Sequence, residues 1–192
     1  MKNGHKTTIT VATAAAIAMA LPATKAYEGY WPTVKIDWIG TGHPPTGGYG
    51  ETENVKVGET HSEKYWADLL AVKLRRYDAE IGQCITRELP DATRAALVTF
   101  AYNVGSAGAC KSTVVRKMNA GDIRGGCDAL MAWNRAGGRV VKGLTNRRAA
   151  ERKMCLAGLA ENKPSAKSIA ATLPEPPAPT PNQVVKKRWW QK

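Results

Sequence analysis

The chain has 192 residues, with 28 Lys and Arg against 16 Asp and Glu for a formal net charge of +12 and a pI near 9.7. Such a length fits one domain of about 130–140 residues with an extension at each end. The charge draws polyanions such as nucleic acid, anionic lipid or bacterial wall. There is no zinc-ligand set, no GxxxxGK[ST] loop and no RNA-binding aromatic motif, so nucleic acid is not an expected partner and no cofactor is implied.

Lys2, His5 and Lys6 precede an uncharged run from Thr7 to Thr24 that ends at Lys25, the layout of an export segment with positive-inside orientation. Seven of its 18 residues are Ala and five are Thr, and only Ile9, Val11, Ile17, Met19 and Leu21 are strongly apolar. Each large apolar residue contributes roughly −0.5 kcal/mol to insertion while Thr and Pro oppose it, so the balance is near zero. Three fates compete: a cleaved signal peptide, a permanent anchor and a releasable anchor. Ala18-Met19-Ala20 and Thr24-Lys25-Ala26 are serviceable cleavage sites.

Next comes Tyr27-Glu28-Gly29, then Asp37, then the turn Thr46-Gly47-Gly48-Tyr49-Gly50. Two carboxylates and a hydroxyl on a turn-rich segment are a glycosidase's minimum: a protonated acid for the leaving oxygen, an ionised partner for the oxocarbenium-like charge, and a group that holds water. Glu28, beside Tyr27, Tyr30 and Trp31, is expected in an apolar niche that keeps it an acid, and Asp37 is expected to stay ionised near the glycines. Thr46 is the candidate hydroxyl, with Thr41 competing. The glycines are read as permitting positive φ and close backbone approach, offering amides to a polysaccharide. Cutting after Ala26 would leave Glu28 second in the mature chain on a frayed end, so retention of the N-terminal segment is favoured.

A small β-hairpin region is predicted around 31–57. Thr60-His61-Ser62-Glu63 reads as a capping box for a long helix whose Trp66, Leu70, Leu74, Tyr77 and Ile81 share a face. Asp91 opens another helix with Leu97, Phe100, Ala101 and Val104 on one face. Ser112 caps a short helix closed by Gly121; Cys127, Leu130 and Met131 mark the next. After a Gly137-Gly138 turn the last helix is predicted over about 146–160. Cys84, Cys110, Cys127 and Cys155 suit two disulfides in an exported chain. Three connectivities exist; Cys84 with Cys110 and Cys127 with Cys155 is favoured because each pair would staple neighbouring helical segments.

Trp133 is expected to be core, His43 to have no catalytic part, and Asn103 to satisfy backbone groups. Arg147, Arg148 and Glu151 are expected to form an ion-paired network packing the last helix. Residues 164–181 are Pro- and Ala-rich, a linker by composition. The end, Lys186-Lys187-Arg188-Trp189-Trp190-Gln191-Lys192, suits either contact with anionic lipid or lipopolysaccharide or a solubilising tail.

Glu28-Gly29, Asp37, the Thr46 turn, Phe100-Ala101-Tyr102-Asn103-Val104-Gly105, Ser112-Thr113, Asn119-Ala120-Gly121-Asp122, Trp133-Asn134, Gly143-Leu144, Arg147-Arg148 and Glu151 follow one another in an order that resembles the phage lysozyme (endolysin) family, glycoside hydrolase family 24, over about residues 27–160. One departure is a longer Asp37-to-Thr46 interval, with Gly42-His43-Pro44-Pro45 inserted. The resemblance implies a lysozyme-like α+β fold: a β-hairpin lobe and a larger helical lobe joined by a long helix, with the cleft between them. It also implies a muramidase acting on peptidoglycan, with Glu28 as general acid and Asp37 and Thr46 placing the water for inversion. The N-terminal layout resembles signal-arrest-release endolysins, held at the periplasmic face of the host inner membrane through residues 7–24 and active in the periplasm.

The organisation expected is therefore residues 1–26 as the releasable segment, 27–160 as the catalytic domain, acting as a monomer, and 161–192 as linker and tail. A lytic transglycosylase needs the acid and no hydrolytic water. A non-enzymatic cationic membrane disruptor would depend on the tail.

Overall fold

The computed structural model describes residues 12–38 and 42–160. Thr41, residues 7–11 of the export segment, and the tail lie outside the described residues. Helix α1, Ala14–Glu28, is built from good helix formers and is capped by Thr13, whose hydroxyl accepts from the Ala16 amide. Gly29, at φ 70°, ends it. Pro22 lies inside and removes one helical N–H.

Strands β1, Trp31–Ile36, and β2, Pro45–Gly48, pair antiparallel with Lys35 opposite Thr46 and a register shift between Trp31 and Lys35. Helix α2, Glu63–Gly82, then runs from beneath this hairpin into the helical lobe. Its Trp66 is buried under the hairpin and Ile81 in the helical core. The expected capping box is corrected: Ser62 is the cap and accepts from the Tyr65 amide. Glu63 instead opens the helix and receives Lys25 at 2.5 Å and the Tyr49 hydroxyl at 2.9 Å.

Helix α3, Asp91–Val104, is the centre of the molecule, buried from Ala92 to Ala101, with α1 and α2 packed on it. Around it stand α4 (Ser106–Lys111), α5 (Thr113–Asn119, capped by Ser112), α6 (Ile123–Ala129) and α7 (Lys142–Ala160). α4 was not anticipated, and α7 begins four residues earlier than the expected 146. A two-residue-per-strand hairpin, β3 (Arg135–Ala136) with β4 (Arg139–Val140), turns through Gly137 and Gly138. Trp133 is half-buried, edge-on to Phe100 at 5.2 Å.

Both expected disulfides form: Cys84–Cys110 ties the end of α2 to α4, and Cys127–Cys155 ties α6 to α7. Closing loops of 26 and 28 residues restricts the unfolded chain by about 3.5 kcal/mol each in the chain-entropy account. Among the described residues no helix is long and apolar enough to cross a membrane. α1 is docked in the protein, with Ala16, Ile17, Ala20 and Thr24 in the interior.

Candidate active site

Glu28 is the last residue of α1, so its position depends on how that helix is seated. At the N-terminal end of the helix, the Ala12 amide donates to Asp78 at 2.6 Å and the Thr13 hydroxyl to Asp91 at 2.6 Å. Asp78 is itself buried and paired with the buried Arg94 at 2.5 Å. At the other end, Arg147 of α7 donates to Glu28 Oε1 at 2.6 Å. The guanidinium is almost fully buried and the Glu28 side chain is 20% exposed.

The apolar niche expected for Glu28 is thus corrected to an ion-paired one. Arg147 also donates to Glu151 at 3.1 Å and to the Thr99 carbonyl at 3.3 Å, and its charge lies 5.5 Å from the Tyr27 ring. The expected Arg147–Arg148–Glu151 network exists, but it reaches into the candidate site through Arg147. Arg148 donates to Glu151 at 2.7 Å. Burial pushes the Glu151 carboxyl up to about 7 and pulls the Arg148 guanidinium down, because each charge has left water.

The other Glu28 oxygen, Oε2, lies 3.5 Å from where a Cβ on Gly50 would stand. The turn carrying Gly50 is held from beneath. Tyr102 donates its hydroxyl to the Tyr49 carbonyl at 2.9 Å, and burial, followed by the Glu28 and Glu51 carboxylates, raises its pKa and keeps it a donor. Cβ atoms on Gly47 and Gly48 would meet Val34 at 2.7 Å and Trp66 at 2.5 Å, respectively. Gly47 is therefore required by the Val34 side chain and Gly48 by the Trp66 indole. The expectation that they offer amides to a polysaccharide is replaced, for Gly47, by a backbone pair with Glu51. Gly48, at φ 57°, and Gly50, at φ 84°, do occupy the left-handed region.

Asp37 is held by its own hairpin. Its amide donates to the Pro44 carbonyl at 3.1 Å, and His43 Nδ1 lies 3.2 Å from its carbonyl. His43 takes φ 47° and packs its ring 5.2 Å from that of Trp38. The inserted residues thus clasp the backbone of Asp37, a positioning part for His43 and Pro44 that spacing alone did not reveal. Thr46 donates its hydroxyl to the Pro44 carbonyl at 3.2 Å, leaving its oxygen able to accept from water. Pairing of Lys35 with Thr46, extended by the Asp37 to Pro44 bond, places Lys35, Asp37 and Thr46 on one face of the hairpin, with buried Val34 on the other. Asn103 is exposed. Among the described residues no cluster of His, Cys, Asp and Glu fits a metal ion.

A helix-end glutamate clasped by a buried arginine, set against a glycine-rich hairpin that bears an aspartate and a threonine, defines a lysozyme-like fold of two lobes joined by a long helix. The chain belongs to the phage lysozyme family, a family of glycosidases, whose signature matches residues 25–151. The SAR-endolysin of Bacteriophage PS119 is 42% identical over 111 residues, covering 57% of this chain and 66% of that protein. The SAR-endolysin of Pseudomonas phage phiKMV is 36% identical over 146 residues, 74% of this chain and 89% of that protein. Among solved structures, the endolysin from Escherichia coli O157:H7 phage FAHEc1 superposes with a TM-score of 0.64 at 26% identity, over 80% of this chain and 95% of that one.

Proposed function

We propose that the chain is a peptidoglycan muramidase, hydrolysing the β-1,4 bond between N-acetylmuramic acid and N-acetylglucosamine and lysing a bacterial host for phage release. The observation that carries this is the seating of Glu28: one oxygen is occupied by Arg147 and the other is directed to the turn that follows the hairpin of Asp37 and Thr46. With Oε1 accepting from the guanidinium, Oε2 is the atom that carries the proton to the leaving glycosidic oxygen. Asp37 steadies the oxocarbenium-like charge and, with Thr46, holds the attacking water. Mass analysis of muropeptides released from sacculi tests it. Water-added reducing ends should appear with the wild type and fall by about 10²–10⁴-fold in Glu28→Gln, the range for loss of a general acid. Anhydro ends would move the assignment to a transglycosylase, and no released sugar would turn attention to the cationic tail.

Export to the periplasm is the localisation that the SAR-endolysin relatives support. The finer reading is a stage at the inner membrane with residues 7–24 in lipid, ended by release and docking of α1; residues 1–26 act as the releasable segment, 27–160 as a monomeric catalytic domain and 161–192 as linker and tail. The segment that would lie in lipid overlaps the helix that carries Glu28 and buries Ile17. Glu28 therefore cannot reach Arg147 while the segment spans a membrane. Ala15 and Ala18 face solvent whereas Ala16 is fully buried, so Ala15→Leu with Ala18→Leu raises hydropathy without overpacking the core. Fractionation should find this variant retained in the membrane and lysis delayed; unchanged release would remove the releasable-anchor reading.

A further inference from the structure

Lys35 is the only Lys or Arg between residues 31 and 50. It is exposed, and its strand register sets it directly opposite Thr46 and two residues before Asp37, on the face that those two share. The neighbouring cations are engaged: Lys25 with Glu63, Lys73 with Glu51, Arg76 with Glu53 and Arg147 with Glu28. Lys35 has no ion-pair partner among the described residues. A lysine ammonium reaches about 6 Å from its Cα, which spans the distance from one strand of an antiparallel pair to a ligand lying across its partner.

The muramidase reading supplies the occupant. If Asp37 and Thr46 hold water at the anomeric carbon, the sugar lying over this face is the muramic acid, the sugar that bears a peptide stem with free carboxylates. We propose that Lys35 pairs with a stem carboxylate at the cleavage point, so that the hairpin selects peptide-bearing glycan by charge. The proposal rests on the muramidase reading and adds a substrate-contact residue to it.

The test is a cycle on soluble peptide-bearing glycan strands, native and with carboxylates neutralised as methyl esters, using the full-length protein and its Lys35→Gln, Lys35→Arg and Lys153→Gln variants. Lys153 is an exposed residue of α7, so its variant removes the same charge elsewhere. Esterification should raise the wild-type KM about three- to fivefold, the upper part of the range for an exposed ion pair. Lys35→Gln should show that raised KM on native strands and less than about a twofold further change on esterified ones. Lys35→Arg and Lys153→Gln should retain the wild-type sensitivity. The proposal is overturned if Lys35→Gln stays as sensitive to esterification as the wild type, or if Lys153→Gln loses sensitivity equally, which would make net charge the cause. Absence of new reducing ends from native strands with the wild type would remove the muramidase reading itself, and Lys35 with it.

Discussion

Glu28 and Asp37 stand nine positions apart in sequence and are held by opposite means. Asp37 is gripped locally, by backbone and imidazole contacts from Pro44 and His43 within its own hairpin. Glu28 is gripped from far away: Arg147 lies 119 residues along the chain, on a helix stapled to α6 by Cys127–Cys155. A locally built group keeps its geometry whenever its hairpin forms, whereas a group assembled by tertiary docking is present only when the whole body has closed around α1. Under the proposed releasable-anchor reading, undocking α1 withdraws the proposed acid from Arg147 while the contacts of Asp37 with Pro44 and His43 stay within its own hairpin.

The contrast breaks most severely at Arg147. Arg147→Ala should lower kcat about 10²-fold through loss of Glu28 placement. It should also cost about 3–5 kcal/mol of stability, because Glu151 is left buried with only Arg148. Steady-state kinetics with chemical denaturation read both. An intermediate effect lies with Glu151, whose carboxyl is raised to about 7 by burial. A carboxyl raised above its unfolded value favours the protonated fold, so its contribution is fully present below about pH 4.5 and is lost as pH climbs through 7. The slope reaches about 1.4 kcal/mol per pH unit. Thermal unfolding against pH should show this decline in the wild type and lose it in Glu151→Gln; an unchanged slope in the variant would assign the decline elsewhere.

The smallest effect belongs to the hairpin side. His43→Ala should reduce kcat only severalfold, about 1 kcal/mol, since the Asp37 amide keeps Pro44, and it should leave stability unchanged in the same assays. A loss as large as that of Arg147→Ala would end the local-versus-distant distinction.

Much of the fold was legible because its signals are local. Helical periodicity at Trp66, Leu70, Leu74 and Ile81, the Ser112 cap and the Gly137-Gly138 turn each depend on neighbours within a few residues. The cap of α2 falls two positions beyond the expected Thr60 because Thr60 and Ser62 are both acceptable caps, and an isolated bridge of Thr60 to Thr33, with their hydroxyls 2.9 Å apart, decides between them by engaging Thr60.

The sequence by itself determined the candidate residue types for the chemistry and the placement of α2, α3, α5, α6 and the first hairpin, and it favoured one of three disulfide connectivities. Those properties follow from side-chain chemistry and short-range periodicity. Only the tertiary structure decided that Glu28 meets a guanidinium in place of an apolar niche, that Val34 and Trp66 leave room only for glycine at 47 and 48, and that Lys35 shares a face with Asp37 and Thr46. Each of these depends on through-space distance and strand register, which a one-dimensional spacing does not encode.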